Sequence, residues 1–229
     1  MLKSTLTSVL DARSERRALV LITPLGGGDE ELVWEDAQDK QHAHAATLDA
    51  CFRTGRSRVV EADNGELFFQ AFLPAPRVMI VGATHIGQVL VRLAREVGIE
   101  PIVIDPRTAF ATEERFNDAD IITEWPGEAL ERIGLDRRSG VVCLAHVPDI
   151  DDEALVAALE SECFYIGALG SSRSHEKRLG RLQEKGLGEE GFGRIHGPVG
   201  LDIGSVSPAE IALSIIAEIV KELRSAPKE

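Results

Sequence analysis

The sequence predicts an α/β protein: a parallel sheet with helices on both faces, preceded by a small α/β N-terminal domain. After residue 76, short apolar runs alternate with helical segments, a pattern typical of parallel sheets. Glycine- and serine-rich loops follow several of these runs, as in Rossmann-like domains. Leu73-Pro74-Ala75-Pro76-Arg77 separates the two parts, because two prolines in three residues hold the chain extended. We expect domains at residues 1–74 and 77–229.

The first domain is predicted to combine two helices with a four-stranded arrangement. The helices are expected at 5–11 and 37–53, and the strands at 18–23, 32–34, 57–61 and 66–73. Asp63-Asn64-Gly65 predicts a hairpin between the last two strands, since Asn-Gly supplies the positive φ angles of a tight turn.

The second domain is predicted to alternate five strands with helices. The strands are expected at 78–81, 101–104, 119–123, 140–144 and 164–168, and the helices at 86–97, 151–160, 174–185 and 208–223. In such a sheet, ligands bind beyond the carboxyl ends of the strands, so the functional residues are sought in the loops that follow them.

Composition excludes several classes of partner. The chain has 25 basic and 38 acidic residues, a formal net charge of −13, which argues against a nucleic-acid partner and against an anionic membrane surface. No apolar run reaches the length of a membrane span, and the first residues lack the pattern of a signal peptide. Three scattered cysteines predict reduced core thiols. A cytoplasmic protein is expected.

The first strand-end loop is Gly82-Ala83-Thr84-His85-Ile86-Gly87. A dinucleotide fingerprint would have glycine at position 84, where the backbone must approach a pyrophosphate. Thr84 makes an ordinary dinucleotide site less expected, although the helix N-terminus still offers N–H groups to an anion. Gly82, Thr84, His85 and Gly87 are therefore candidate cofactor-binding residues, with a simple turn capped by Thr84 as the alternative.

Asp105 ends the second strand at the spacing of a ribose-binding acid, and Arg107 follows it. Arg107 is expected either to meet a phosphate or to pair with Asp105. The next candidate, His146, follows the fourth strand, where a nearby carboxylate such as Asp151 could orient its imidazole. Asp151 equally fits the N-cap of the following helix.

Two later loops complete the candidate site. Gly170, Ser171 and Arg173 offer backbone amides, a hydroxyl and a guanidinium to an anion, or form a turn with a serine N-cap. The long apolar loop from residue 195 to residue 204 is expected to fold back over the sheet edge and present His196 and Asp202 to the crevice.

Taken together, these stretches resemble the XdhC/CoxI family of xanthine dehydrogenase and CO dehydrogenase accessory proteins. The resemblance rests on VMIVGATHIGQVLVRLA, VIDPRTAFATEERF, the His146 loop, YIGALGSSR and RIHGPVGLDIGSVSPAEIALSIIAEI. It implies a chaperone that binds molybdenum cofactor and passes it to a client molybdenum hydroxylase, rather than a metabolic enzyme. Residues 1–73 carry no counterpart of the family's S-G-G-C segment.

Two alternatives stay open. An NAD(P)-dependent oxidoreductase would use His146 as its proton donor, and a regulatory or scaffold module would keep the fold with an empty crevice. The last helix, IALSIIAEIVKEL, is apolar on more than one face, which predicts a homodimer.

Overall fold

The structure is a computed structural model that describes residues 3–37, 41–63 and 65–225. It is a mixed α/β protein, as predicted, with one four-stranded antiparallel sheet and one six-stranded parallel sheet. The chain divides into two compact units, one within residues 1–75 and the other Pro76–Arg224.

The first unit is an antiparallel sheet with the strand order β2-β1-β4-β3. Its elements are α1 (Lys3–Ser14), β1 (Leu19–Pro24), β2 (Glu31–Trp34), α2 (Ala45–Thr54), β3 (Arg58–Ala62) and β4 (Gly65–Phe72). Helix α2 packs against β1 and β4. It buries Leu48 together with Cys51 and Phe52, which follow Leu48 by three and four residues and so lie on the same helical face.

The helix predicted at 37–53 is too long at its start, because α2 begins only at Ala45. The backbone N–H of Ala45 donates to the carbonyl of His42, and Nδ1 of His42 accepts from the backbone N–H of His44. These local bonds form a turn just before the helix, and the His44 ring meets Phe69 edge-on. The β3–β4 hairpin is present as predicted, and Asn64 of its turn lies outside the described residues.

The second unit is a parallel sheet with the strand order β10-β9-β8-β5-β6-β7. Its strands are β5 (Arg77–Val81), β6 (Glu100–Ile104), β7 (Asp120–Ile122), β8 (Ser139–Cys143), β9 (Tyr165–Ala168) and β10 (Ile195–His196). Its helices are α3 (His85–Glu96), α4 (Pro126–Ile133), α5 (Pro148–Leu159), α6 (Ser172–Glu184) and α7 (Pro208–Arg224). Every residue of β5 and β8 is buried, as expected for central strands covered on both faces.

Two helical layers cover the parallel sheet. Helices α3 and α7 pack against each other over one face, in a core that includes Leu90, Tyr165 and Ile215. Helices α4, α5 and α6 cover the other face, around Leu155 and Leu182. Neither α4 nor β10 was predicted from the sequence.

Helix α7 is apolar on more than one face because it packs on both α3 and β9 within its own chain. Ala212, Ile215 and Ile219 are fully buried, whereas Leu213 stays about half exposed. The apolar faces of α7, from which a homodimer was predicted, are thus largely buried within one copy of the chain.

In the part of the chain that the structure describes, no helix combines the length and apolar character needed to cross a membrane. The three cysteines are buried and free, as predicted.

Candidate functional site

The direction in which successive strands are added to the parallel sheet reverses between β5 and β8. From β5 the chain proceeds outward to β6 and β7, and after α4 it starts again at β8 and proceeds to β9 and β10 on the other side. The loops after β5 and β8 therefore meet at a topological switch point, where open α/β sheets bind their ligands.

Gly82 brings these two loops into direct contact. Its φ is +110°, and a Cβ atom there would lie 2.6 Å from the Cα atom of Ala145. Only glycine fits, because a side chain would overlap the backbone of the loop after β8. Gly87 is buried in the first turn of α3, where a Cβ would lie 3.2 Å from the carbonyl oxygen of Gly82.

Thr84 is the N-cap of α3. Its Oγ1 accepts a hydrogen bond from the backbone N–H of Gly87 at 3.2 Å. One of the N–H groups that would otherwise face an anion is therefore used within the loop. His85 is exposed on the first residue of the helix.

Asp105 is fully buried, and Arg107 pairs with it. Oδ2 of Asp105 accepts from the backbone N–H of Ala83 at 2.7 Å and from Nη2 of Arg107 at 2.8 Å, while Oδ1 accepts from the backbone N–H and Nε of Arg107, both at 2.9 Å. Burial acts to raise the pKa of Asp105, but these hydrogen bonds outweigh it and hold the pKa below its ordinary value. The carboxylate ties the loop after β5 in place.

His146 takes a left-handed backbone conformation, with φ of +56°, directly after β8. Non-glycine residues rarely adopt this conformation, and they keep it only where the surrounding structure holds the backbone in place, often at functional sites. The imidazole is exposed.

Asp151 is not the N-cap of α5, as one interpretation of the sequence had it, because the helix begins at Pro148 with Val147 at the cap. Asp151 lies in the first turn with only 3% of its surface exposed. The backbone N–H groups of Ala145 and His146 act on its carboxylate and oppose the rise of its pKa. Asp151 therefore interacts with the backbone of the loop that carries His146.

The carboxylate of Asp151 is incompletely satisfied. Its Oδ1 is buried and has no hydrogen-bond partner in the described residues. Burial raises the pKa of Asp151 to about 6, against the charge of Arg178 and the two backbone N–H groups, which lower it. An unpaired buried acceptor costs about 1–3 kcal/mol, so it requires an explanation.

The loop after β9 leads into α6. Gly170 has φ of +141° and lies close to Ser174, while Ser171 is the N-cap, its Oγ accepting from the backbone N–H of Ser174 at 3.2 Å. The serine N-cap anticipated from the sequence is confirmed. Arg173 is exposed on the first turn.

Arg178 is the second buried group with a missing partner. It is 4% exposed, and its Nη2 donates to the carbonyl of Leu169 at 2.6 Å, while its Nη1 lies 3.4 Å from Nδ1 of His175. Its Nε is buried and unpaired within the described part of the chain. Burial and the Arg178 charge lower the pKa of His175, so the positive charge here resides on arginine rather than on histidine.

These two unpaired atoms belong to residues that line the same pocket, which we call the α5–α6 pocket. It has a volume of about 170 Å³ and is lined by His146, Pro148, Asp151, Ser174, Lys177, Arg178 and Arg181. Arg181 forms two hydrogen bonds, of 2.6 and 2.8 Å, with Asp152, which neutralises its charge. The remaining positive charges of the pocket are those of Lys177 and Arg178. A local excess of positive charge in a chain of net charge −13 favours an anion.

His196 lies in a different environment. Its Nδ1 is 3.3 Å from Oε1 of Glu218, its ring stacks on Tyr165, and the Tyr165 hydroxyl donates to Oε2 of Glu218 at 2.6 Å. Burial and the Glu218 carboxylate raise the pKa of Tyr165 well above its ordinary value. These groups belong to the α3–α7 face of the sheet, whereas the α5–α6 pocket lies on the other face.

The loop after β10 folds back as predicted, since the backbone N–H of Val199 donates to the carbonyl of Ala168. Asp202 is exposed on it. The structure therefore brings His146 and Asp151 into one pocket with Ser174, whose backbone N–H donates to Ser171, and Arg107 acts electrostatically on Asp151. The other predicted site residues do not line this pocket: Gly82, Thr84, His85, Gly87, Asp105, Arg107, Gly170, Ser171, Arg173, His196 and Asp202.

Sequence reasoning missed Lys177, Arg178 and Arg181. Together with Ser174 they occupy positions i, i+3, i+4 and i+7 of α6, which form one helical face. That spacing was a readable signal, because it places three basic residues and Ser174 on one side of a helix that starts at a strand-end loop.

A larger cavity lies elsewhere. It has a volume of about 710 Å³, between α4 and α5, and is lined by Glu131, Glu153 and Lys185 among others. None of the described residues around it has a buried unpaired polar atom, and none of the predicted site residues lines it. The smaller α5–α6 pocket is the better candidate site.

Comparison with known families decides the relationship. A family model described as the XdhC Rossmann domain matches residues 78–219, more than half of the chain and all of the α5–α6 pocket. The chain belongs to the XdhC family. The resemblance noted from the sequence is confirmed for XdhC, and its extension to CoxI stays a prediction.

Curated relatives of this XdhC-family chain are longer proteins. It is 29% identical over 214 residues to the uncharacterized protein YqeB of Escherichia coli (strain K12), an alignment covering 90% of this chain and 39% of YqeB. It is 31% identical over 156 residues to a Bacillus subtilis (strain 168) protein described as a probable xanthine dehydrogenase subunit, covering 68% and 45%. It is 32% identical over 152 residues to the molybdenum cofactor insertion chaperone PaoD of Escherichia coli, covering 66% and 42%. The XdhC-family chain spans less than half the length of these relatives.

A solved structure supports the same relationship. The crystal structure of a protein described as a xanthine dehydrogenase, from Bacillus halodurans, superposes with a TM-score of 0.67 at 25% identity. The superposition covers 98% of the XdhC-family chain and 66% of that protein.

Proposed function

We propose that this chain is an accessory protein that binds molybdenum cofactor and assists its maturation or its insertion into a client enzyme of the xanthine or CO dehydrogenase type. The support is membership of the XdhC family together with 32% identity to a protein named a molybdenum cofactor insertion chaperone. The observation that carries the proposal is the α5–α6 pocket, a cationic cavity with two unpaired buried polar atoms inside the family domain.

The residues of this pocket suit the phosphate end of a pterin cofactor. Arg178 offers an unpaired guanidinium N–H, and Lys177 adds a second positive charge. Ser174 lies on the first turn of α6, near the positive end of the helix dipole, which favours an anion. The cavity is too small for a whole cofactor, since about 170 Å³ falls below the usual range of roughly 300–1,000 Å³ for ligand pockets.

The chain's own groups bind and orient rather than react. The Leu169 carbonyl accepts from Nη2 of Arg178 and holds the guanidinium in place beside the pocket, so the positive charge is positioned before a ligand binds. His146 stands exposed at the mouth of the pocket, where the remainder of a ligand would pass. When bound, the cofactor would supply the redox-active metal centre that the client uses.

Retention of molybdenum tests this proposal. The full chain is incubated anaerobically with released molybdenum cofactor, passed through gel filtration, and analysed for metal per chain. We expect near-stoichiometric molybdenum on the wild-type chain and about a tenfold loss in Lys177→Glu, because the substitution reverses a charge in the pocket.

Lys185→Glu is the matched control, since Lys185 is exposed beyond the end of the same helix and outside the α5–α6 pocket. No molybdenum on the wild-type chain would contradict the proposed function. Full retention by Lys177→Glu would contradict the choice of pocket.

An NAD(P)-dependent oxidoreductase is the second candidate, and one observation favours it: the strand order β7-β6-β5-β8-β9-β10 is that of dinucleotide-binding Rossmann domains. Two observations weigh against it, since Thr84 caps the first helix and Asp105 is saturated by Arg107 and Ala83. Calorimetric titration with NAD(P) and NAD(P)H discriminates, and micromolar affinity with turnover would favour the oxidoreductase.

A client molybdenum hydroxylase, a homodimer and a cytoplasmic location belong to the same proposal. The three free thiols agree with a reducing compartment. For a homodimer, the available apolar surface near α7 is Ile203, Val206 and Leu213, which are 51%, 86% and 51% exposed. Light scattering of the wild-type chain and of Val206→Asp would measure whether this surface joins two copies.

A further inference from the structure

A groove lies between α4 and α5 on the surface of the second unit. The cavity of about 710 Å³ described above adjoins a second one of about 680 Å³, and both are lined by Gly127, Glu131, Glu153 and Lys185. We call the two cavities together the α4–α5 groove. Apart from Lys185 at the end of α6, its lining residues belong to α4, α5 or the segments that directly adjoin them. The groove therefore follows two neighbouring helices.

Each of these helices contributes one regularly spaced face. The lining residues of each helix stand at positions i, i+3, i+4 and i+7, which lie on one side of a helix: Gly127, Leu130, Glu131 and Gly134 for α4, and Glu153, Val156, Ala157 and Glu160 for α5. The helices pack on each other, but glycine and alanine leave space between these faces. A Cβ atom added at Gly134 would meet no atom within 4 Å.

The floor of the groove is apolar and only partly covered by the chain itself. Leu130 is buried, whereas Leu135, Val156 and Ala157 remain partly exposed. Trp125, the residue before α4, lines the second cavity and is 46% exposed. Exposed apolar surface that is collected in one place marks interaction sites, and tryptophan is among the side chains that contribute most to protein–protein affinity.

The carboxylates that line the groove are unpaired. Five acidic residues line it, two from α4 and three from α5 and its C-cap: Glu128, Glu131, Asp149, Glu153 and Glu160. Among the described lining residues the one base is Lys185, and none of the five carboxylates forms a salt bridge within the part of the chain that the structure describes.

Acidic residues next to the groove are treated differently by the chain. Glu124 pairs with Arg132, Asp152 with Arg181 and Glu162 with Arg137, at distances of 2.8, 2.6 and 3.0 Å. The surroundings of the groove are thus neutralised while its own charge is not. An apolar floor with uncompensated negative charge on both helices complements a ligand that is apolar on one side and basic along its edges.

We propose that the α4–α5 groove docks a basic amphipathic helix of a partner protein. The apolar face of that helix would lie on Val156, Leu135 and Trp125, and its Lys or Arg side chains would meet the carboxylates of the groove. Insertion of an amphipathic helix into an apolar groove is a common mode of peptide recognition. Helix α5 has 12 residues, about 18 Å of helix, so a partner segment of about three turns matches its length.

This inference goes beyond the proposed function and does not rest on it. The α4–α5 groove shares no lining residue with the α5–α6 pocket, and the two have opposite charge. One surface is suited to an anion and the other to a cationic segment of a protein, so the two can be tested separately.

Fluorescence titration of the full chain tests the proposal. The chain has two tryptophans, so Trp34→Phe leaves Trp125 in the groove as the single reporter. The probe is a synthetic helical peptide of about twelve residues with leucine at i, i+3, i+4 and i+7 and lysine at the flanking positions. We expect a blue shift of Trp125 emission and micromolar affinity, with about tenfold weaker binding of a scrambled peptide of the same composition.

Charge reversal in the groove separates docking from general attraction to an acidic protein. In Glu131→Lys/Glu160→Lys we expect about a tenfold loss of affinity, because two exposed carboxylates that would meet lysine are replaced by like charges. Glu96→Lys/Glu114→Lys makes the same change in net charge at exposed positions outside the groove, and its affinity should stay within about twofold of wild type. Lys185→Glu should raise the affinity about threefold, since it removes the groove's own base.

Equal binding of the designed and scrambled peptides, or equal effects of the two double variants, would overturn the proposal. A wild-type chain that is dimeric by light scattering and becomes monomeric in Glu131→Lys/Glu160→Lys would also overturn it, because the occupant would then be a second copy of this chain. The molybdenum assay gives an independent result. Lys177→Glu should lose molybdenum and keep the peptide, whereas Glu131→Lys/Glu160→Lys should lose the peptide and keep molybdenum.

Discussion

Asp105 and Asp151 are both buried aspartates near the carboxyl ends of parallel strands, yet their environments are opposite. Asp105 follows β6, and both of its carboxylate oxygens are hydrogen-bonded by Arg107 or the N–H of Ala83. Asp151 lies in the first turn of α5 and retains an unpaired oxygen among the described residues. The pKa of the first is lowered, and that of the second is raised to about 6.

The difference separates a structural carboxylate from a candidate ligand-binding one. Burial is common to both, so burial alone does not mark a site. What distinguishes Asp151 is that, among the described residues, one of its buried oxygens has no hydrogen-bond partner, in a residue that lines the same pocket as Arg178 with its unpaired Nε.

The largest expected effect is that of Asp105→Asn. The amide would place a donor against Arg107 or the N–H of Ala83 and remove the charge that holds them, so we expect a loss of about 2–4 kcal/mol in the free energy of unfolding. Urea unfolding measures it, with Asp202→Asn in an exposed loop as the control expected to change by less than about 0.5 kcal/mol. The stabilisation by Asp105 is present above its unfolded pKa and is lost as pH falls through its lowered folded value. If Asp105→Asn had the same free energy of unfolding as the wild-type chain at neutral pH, Asp105 would not have the structural role that distinguishes it from Asp151.

A somewhat smaller effect is expected for Gly82→Ala, which lies between the two loops. The added methyl group would meet the backbone of Ala145, whose N–H acts on Asp151, at a position with φ of +110°. We expect a loss of about 2–3 kcal/mol in the free energy of unfolding together with weaker molybdenum retention, because the loop of His146 must move. In Gly98→Ala, where φ is +74° but no atom lies within 4 Å, we expect only the backbone cost of about 1 kcal/mol and unchanged molybdenum retention. Equal effects of the two substitutions would show that the contact with Ala145 is unimportant.

The smallest effect has the opposite sign. Asp151→Asn should stabilise the protein at pH 8 by about 1–2 kcal/mol, because it removes an ionised carboxylate that burial disfavours. The folded pKa of Asp151 is raised, so its contribution is most favourable below the unfolded value and is lost as pH rises through about 6. The stabilising effect should therefore vanish near pH 4. Thermal unfolding at the two pH values measures this, and destabilisation at pH 8 would contradict the environment described for Asp151.

Much of the fold was predictable because the strands of the parallel sheet are apolar throughout and end in glycine-rich loops. Helix α4 was missed although Pro126 at its first position and the spacing of Leu130 and Ile133 were visible. The start of α2 was placed too early, because a turn precedes the helix, in which the backbone N–H of His44 donates to Nδ1 of His42, and periodicity does not reveal that turn.

The site was harder to predict, for physical reasons. Sequence spacing brought Asp105 and Arg107 together but left open whether they bind a ligand or each other. His196 lies at the end of a strand, which is where a site residue is expected. A side chain at a strand end can point to either face of the sheet, however, and that of His196 contacts Glu218 on the α3–α7 face. Arg178 could be recognised only once its burial and its unpaired Nε were known.

The small volume of the α5–α6 pocket has a kinetic consequence. Under the proposed function, a cavity of about 170 Å³ would enclose one end of the cofactor and leave the other end in solvent. A receiving protein could then contact the exposed end before the phosphate dissociates, so that exchange would be associative rather than limited by spontaneous release. The rate of transfer should then increase with the concentration of the receiver, and no free cofactor need accumulate between donor and acceptor.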